Sequence, residues 1–216
     1  MTELVSTYEG QALTIVYDRR LCIHAAECGR GSKKLFDATK DPWCDPDAVP
    51  VDKAAEIVSR CPTGALKATR KDGQAPESTP EENVLLVSPN GPLYVRGDLR
   101  IELRGARGVA TRAALCRCGA SAQKPFCDGS HERSGFQDGG PVGQRGKPLA
   151  ERGGPLAVEP QTDGPLRVAG NLTIRAGNGR VAWEGTEAWL CRCGASKNRP
   201  FCDGSHKKVG FTAEGV

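Results

Sequence analysis

The chain has 216 residues, enough for one ordinary domain or for two or three small ones, and only 38% of them are hydrophobic and 5% aromatic. With 27 Gly and 15 Pro it is rich in turn and loop, so small lobes with thin cores need something besides burial to hold them, and ten cysteines can supply disulfides or metal ligation. The net charge of +4 comes from 30 basic residues interspersed with 26 acidic ones. No basic block or basic–aromatic interleaving suits nucleic acid, and no run of 18 apolar residues suits a membrane.

The opening MTELVSTYEG has no basic region and no apolar run, so the chain is expected to be soluble and cytoplasmic. In a reducing compartment, clustered cysteines are more often metal ligands than disulfide partners. Residues 1–69 read as a small α+β lobe, in which Leu13, Ile15 and Tyr17 alternate as one face of a strand. DKAAEIVSR at 52–60 has helix-forming composition with Asp52 as N-cap, Cys61-Pro62 ends it, and ALKAT at 65–69 reads as a returning strand. The lobe carries Cys22-x5-Cys28 and, far downstream, Cys61-Pro62, which is the outline of a one-cluster ferredoxin with Ala25 at the missing central cysteine. His24 and Cys44 are its unused donors, and Cys44, after Pro42-Trp43, reads equally as a buried free thiol. A polar stretch, 70–82, reads as a linker.

Residues 91–136 and 164–211 then align almost throughout, offset by 73 at the front and by 75 at the cysteines. The runs LYV, LRIEL, LRV, LTIR and VAW, punctuated by Gly97-Asp98 or Asn178-Gly179, predict β-hairpins. Residues 137–163, rich in Gly, Pro and charge, read as a second linker, leaving 83–136 and 164–216 as two β-rich domains.

The copies contain CRCGASAQKPFCDGSH and CRCGASKNRPFCDGSH. Cys116, Cys118, Cys127 and His131 follow C-x-C-x8-C-x3-H, and Cys191, Cys193, Cys202 and His206 repeat it. A C-x-C pair can present two thiolates to one iron, and the later Cys and His can ligate another after the chain turns back. Asp128 and Asp203 are placed to cap a helix that carries the histidine. Gly119, Gly129, Gly194 and Gly204 permit tight backbone approach, and Ser121 and Ser196 are candidate donors to cluster sulfur. Around the motifs stand Arg117, Lys124, Arg192, Lys197, Arg199, Lys207 and Lys208, which could stabilise reduced clusters or attract an acidic redox partner.

These segments resemble the CDGSH iron–sulfur, or mitoNEET-like, family over about 95 residues: each copy has C-x-C, the following Ser, Pro125 or Pro200, and C-D-G-S-H. The resemblance implies one [2Fe-2S] cluster on Cys116, Cys118, Cys127 and His131 and another on Cys191, Cys193, Cys202 and His206. It also implies a tandem type in which an intramolecular pseudo-twofold replaces a dimer, so that the chain is a monomer. The first lobe resembles the divergent mono-cluster ferredoxin-like domain, which implies ligands at Cys22, Cys28 and Cys61. Three ligands suit a [3Fe-4S] cluster, whereas [4Fe-4S] needs another donor.

The fold class expected is therefore α+β, a ferredoxin-like lobe followed by two cluster-binding lobes. The expected function is electron transfer or cluster transfer between redox or cluster-acceptor proteins, without enzymatic activity: no Ser/His/Asp set, P-loop or dinucleotide glycine pattern is present. The rival reading is a structural or interaction module stabilised by zinc, since Cys3His also suits tetrahedral Zn²⁺.

Overall fold

The computed structural model describes residues 4–102 and 111–216, and the end of the run LRIEL, Leu103, lies outside the described residues. The chain is α+β, with strands predominating, and divides into two compact units, Met1–Ser78 and Thr79–Val216.

In the first unit, β1 (Val5–Glu9), β2 (Leu13–Asp18) and β3 (Leu66–Arg70) form an antiparallel sheet with β2 in the middle. Leu13 and Ile15 point inward, as their alternation predicts. Against the sheet lie a short α1 (Glu27–Gly31) and α2 (Val51–Ser59), whose Ala54, Ala55, Ile57 and Val58 are buried at helical spacing. Asp52 does not cap α2. Pro50 occupies that position, and Asp52 in the first turn pairs with Arg70 at 2.5 Å. Trp43 closes the other edge of the core, in ring contact with Tyr8, Tyr17 and Phe36.

The second unit is built on one seven-stranded sheet: β4 (Val84–Val87), β5 (Leu93–Arg96), β6 (Asp98–Ile101), β7 (Arg112–Leu115), β8 (Pro155–Pro160), β9 (Leu166–Arg175) and β10 (Val181–Leu190). Asn178-Gly179 makes the hairpin turn between β9 and β10, as predicted, with Gly179 at φ +81°. Gly97-Asp98 does not make a hairpin. β5 pairs with β4 and β7, while β6 leaves the hairpin path and pairs with β8. The stretch 137–163, read as a linker, contributes β8, whose Leu156 and Val158 are fully buried.

The copies interleave in this sheet. β4 runs parallel to the second half of β9, with Val84 opposite Thr173, and β8 runs parallel to β6, with Ala157 opposite Arg100. The offset of 73 that relates the copies turns one pairing into the other with the partners exchanged. Asn83, fully buried, ties this crossing: its amide donates to the carbonyls of Gly154 and Asn171 at 2.9 Å, and its oxygen accepts from the Asp98 amide at 3.0 Å.

Because Asn83→Ala removes a buried side chain and leaves the Asp98 amide and two carbonyls without that partner, it is expected to destabilise the second unit by roughly 2–4 kcal/mol. Urea unfolding of the variant should show this as a lower midpoint at an unchanged m-value. An unchanged midpoint would show that Asn83 does not hold the crossing.

Candidate metal centres

Each CDGSH segment starts where a strand of the sheet ends. The Cys116 amide donates to the Pro125 carbonyl at 2.8 Å and the Cys127 amide to Ala114 at 2.9 Å, so the intervening residues fold back on the end of β7 and bring the third cysteine beside the first. The second copy repeats this from Cys191 to Pro200 and from Cys202 to Trp189, both at 2.8 Å. A single turn of helix follows in each, α3 (Ser130–Arg133) and α4 (Ser205–Lys208), and carries the histidine.

The donors are brought together in pairs. Cys116 and Cys118 sulfurs lie 3.7 Å apart, and the Cys127 sulfur lies 3.3 Å from His131 Nδ1. In the second copy the same distances are 3.6 Å and 3.3 Å. Two ligands on one tetrahedral metal, at about 2.3 Å for sulfur and about 2.0 Å for nitrogen, stand roughly 3.5–3.8 Å apart, so each sulfur pair has that spacing and each Cys–His pair is slightly closer. The two pairs face each other closely enough that the Cys118 charge acts on Cys127 and the His131 charge acts on Cys118.

The thiols are poised for a cation. The Cys116 thiol is pushed up by its hydrogen bond with Cys118 and by burial, and the same hydrogen bond brings Cys118 down to about 6. Burial pushes Cys127 and Cys191 up to about 11. Buried thiols of this kind stay protonated until a metal displaces the proton, so loading should release protons.

Backbone amides point at the sulfurs: Ala120 at Cys118 and Gly129 at Cys127, both 3.4 Å, and Ala195 at Cys193 and Gly204 at Cys202, at 3.5 and 3.4 Å. Ser121 and Ser196 reach sulfur through their backbone amides, which bond Cys116 and Cys191, and not through their hydroxyls. Their buried hydroxyls donate to the Phe126 and Phe201 carbonyls at 2.6 Å, which braces the loop from inside. Nor are Asp128 and Asp203 at the N-cap position, which Gly129 and Gly204 occupy at φ +83° and +84°. One residue earlier, each carboxylate still accepts from the first helical amide, Ser130 or Ser205, and with its other oxygen from Ala122 or Lys197 across the loop.

Gly119 and Gly194, at φ +83° and +76°, let the two ligand loops touch. A Cβ on Gly119 would lie 2.7 Å from the Cys193 carbonyl, and one on Gly194 would lie 2.7 Å from that of Cys118. Beside this contact the basic residues divide by role. Arg117 and Arg192 are buried, donating to the carbonyls of Gly91 and Ser88 and of Gly164 and Gln161. Arg117 also pairs at 2.7 Å with Asp138, a buried carboxylate that Arg199 shares. Arg199 donates to Gly194 and Ser196 carbonyls, and Lys124 to Ser121. Asp138 escaped the sequence reading because it stands in the stretch taken for a linker.

In the first unit Cys22, Cys28 and Cys61 line one open pocket of about 340 Å³ with Tyr17, Ala25, Pro62 and Thr63. Cys22 bonds Tyr17, Cys61 stands 3.6 Å from the Thr63 hydroxyl, and burial raises the Cys28 thiol. His24 and Ala26 hold left-handed backbone, φ +57° and +63°, in the loop between Cys22 and Cys28. The lining includes neither His24, which is exposed, nor Cys44, which is buried in a bridge to Phe36 with its thiol pushed up to about 12 by burial.

Thiolate and imidazole donors, paired by the same loop twice and gathered about a three-cysteine pocket once, define an iron–sulfur-binding protein. Residues 8–71 match the divergent 4Fe-4S mono-cluster family, and 90–132 and 163–207 match the iron-binding zinc finger of CDGSH type. The uncharacterized protein YjdI of Escherichia coli K12 is 36% identical over 64 residues, 30% of this chain and 84% of the relative, and its counterpart in strain O157:H7 matches equally. No solved structure matches. The chain therefore belongs to the divergent 4Fe-4S mono-cluster family through its first unit and carries two CDGSH iron-binding segments in its second. Among the described residues no helix is long and apolar enough to cross a membrane.

Burial pushes the Asp128 carboxyl up, but hydrogen bonds from Ser130 and the Ala122 amide outweigh it and leave the pKa below the ordinary 3.8. A carboxyl depressed in the folded state stabilises fully above its ordinary value and loses that contribution as pH falls through the depressed one. Asp128→Ala should therefore cost about 1 kcal/mol near pH 7, and the gap to the parent should close below pH 3.8. A gap independent of pH in urea unfolding would mean that the carboxylate is not its source.

Proposed function

We propose that Cys116, Cys118, Cys127 and His131 hold one [2Fe-2S] cluster and Cys191, Cys193, Cys202 and His206 another. Cys22, Cys28 and Cys61 hold a third, either [3Fe-4S] or, with a further donor, [4Fe-4S]. The chain is then a non-enzymatic carrier of electrons or clusters between redox or cluster-acceptor proteins of the cytoplasm. It acts as a monomer in which the interleaved copies form an intramolecular pseudo-dimer about a pseudo-twofold.

The observation that carries this reading is the pairing of donors. A lone zinc ion needs its ligands closed on one point, whereas the donors here stand as separate pairs. Two facing pairs suit a centre with two metals. The reciprocal parallel pairing of β4 with β9 and β8 with β6, and the mutual contact of Gly119 and Gly194, support the pseudo-twofold. All ten cysteines are free, which suits a reducing compartment.

A cluster with one neutral imidazole in place of a thiolate is less negative by one unit, and what it supplies is one-electron exchange at a raised potential. The protein's part is to hold that charge. Amides of Ala120, Gly129, Ala195 and Gly204 aim at the sulfurs, and Asp128 and Asp203 fix the loops that present them. The histidines sit on one-turn helices, where each ring would supply the one neutral ligand of its cluster.

Anaerobically prepared protein is expected to contain four irons and matching acid-labile sulfide in the second unit, with rhombic EPR signals on reduction. Stoichiometric zinc without sulfide would establish the structural reading instead. Cys61→Ser should remove the signal of the third cluster and spare the other two, because its ligands lie in the other unit. Unchanged total iron in that variant would reject the pocket as a cluster site.

Falling pH competes proton against iron at His131 and His206. His131→Cys and His206→Cys remove that competition and restore the negative charge, so each variant site should bleach more slowly in mild acid and reduce at a lower potential. Wild-type bleaching rates and potentials in both would mean that neither histidine is a ligand.

A further inference from the structure

We propose that the two CDGSH sites are not equivalent, and that the end of the second copy around Cys202 and His206 is the docking face for an acidic protein carrying a one-electron centre. This rests on the reading that both motifs hold [2Fe-2S] clusters. The two ligand loops repeat the same backbone bonds, so the difference lies in what their side chains present.

Of the eight basic residues near the motifs, four are committed internally, and Arg133 of the first copy donates to the Ser130 hydroxyl at 3.4 Å. Arg117, Arg192 and Arg199 hold backbone carbonyls or Asp138, and Lys124 holds the Ser121 carbonyl. Lys197, Lys207 and Lys208 remain, and all three are exposed. The Lys197 amide is bonded to Asp203, the neighbour of Cys202, and Lys207 and Lys208 follow His206 directly. Beside them Val209 is 56% exposed, which adds an apolar contact to a basic patch. Asp203 is the patch's own carboxylate, and Asp128 repeats it in the first copy.

At the matching positions the first copy has Ala122, Glu132, Arg133 and Ser134. Next to the histidines the two copies carry opposite charge, Glu132 after His131 and Lys207 after His206. The ligands are also shielded unequally. Cys127 is buried, with the half-buried Tyr94 close enough to feel its charge. Cys202 is only partly buried, and the residue aligned with Tyr94 is Arg167, turned away to Glu159 and Glu187 at 2.8 Å. A positive, partly apolar rim around the more open site draws anionic partners there and repels them less than the first site does.

Ferricyanide, a small anionic one-electron oxidant, probes this face without a known partner. Each reduced cluster gives up one electron and each ferricyanide becomes ferrocyanide. With the full chain reduced anaerobically, stopped-flow reoxidation should slow several-fold in Lys197→Glu/Lys207→Glu/Lys208→Glu and lose most of its salt dependence. Arg133→Glu, at the matching position of the first copy, should change the rate by less than twofold. A cationic cobalt(III) oxidant should show the reverse order with the triple variant. Equal slowing by Arg133→Glu, or none by the triple variant, would overturn the proposal. Because these side chains are exposed, iron and sulfide content should stay at the parent level. A parent chain with no acid-labile sulfide would instead defeat the cluster reading itself.

Discussion

The second unit depends on an exchange of strands that neither copy can make alone. A CDGSH copy supplies a strand before its motif, β4 or β8, and that strand finds its parallel neighbour in the other copy. Parallel strands cannot be joined by a tight turn, so the pairing needs the long excursion that the chain makes between them. The crossing leaves backbone polar groups between the strands, and the buried Asn83 side chain satisfies three of them. With the strands so fixed, β7 and β10 end where their ligand loops must begin, and Gly119 and Gly194 meet because nothing larger fits between the loops.

The loops themselves work by local chemistry. Twelve residues run from the first cysteine to the third, and the return is held by backbone bonds at the strand end, a buried serine hydroxyl and an aspartate that spans the turn. None of these braces uses a ligand atom. The sulfurs are left to face one another and the amides, which is the arrangement that a negatively charged inorganic core needs. The cost of burying thiols without a cation appears as their raised pKa values, so fold and metal are coupled at the same atoms.

The motifs were legible in the sequence because their chemistry is local: cysteine spacing, helix placement and the repeat offset all survive in one dimension. What was not legible is what the third dimension adds. β8 is bounded by Pro155 and Pro160 and surrounded by Gly and charge, so composition hid the alternation of Leu156 and Val158. Gly97-Asp98 carries turn residues but serves to move the chain from one neighbour to another, since Asn83 fills the space a Cβ at Gly97 would need. Asp52 stood two residues and Asp128 one residue from the cap, within the usual uncertainty of helix ends. Ser121 does reach sulfur, but through its backbone amide, because its hydroxyl is taken by the Phe126 carbonyl 2.6 Å away.

Duplication explains both the sameness and the difference of the two sites. Asn90 and Asp138 clasp each other through backbone and side chain, and Asp163 and Ala213 repeat the clasp in the second copy with the side-chain acceptor kept and the second carboxylate gone. Where a residue holds the loop, the copies agree: both keep the buried arginine of C-R-C, the serine, the proline, the aspartate and the glycines. Where a side chain reaches only solvent, as at Ala122 and Lys197 or Glu132 and Lys207, they have diverged in charge. Two sites in one chain are free to differ in this way, whereas two identical subunits would carry every surface change twice.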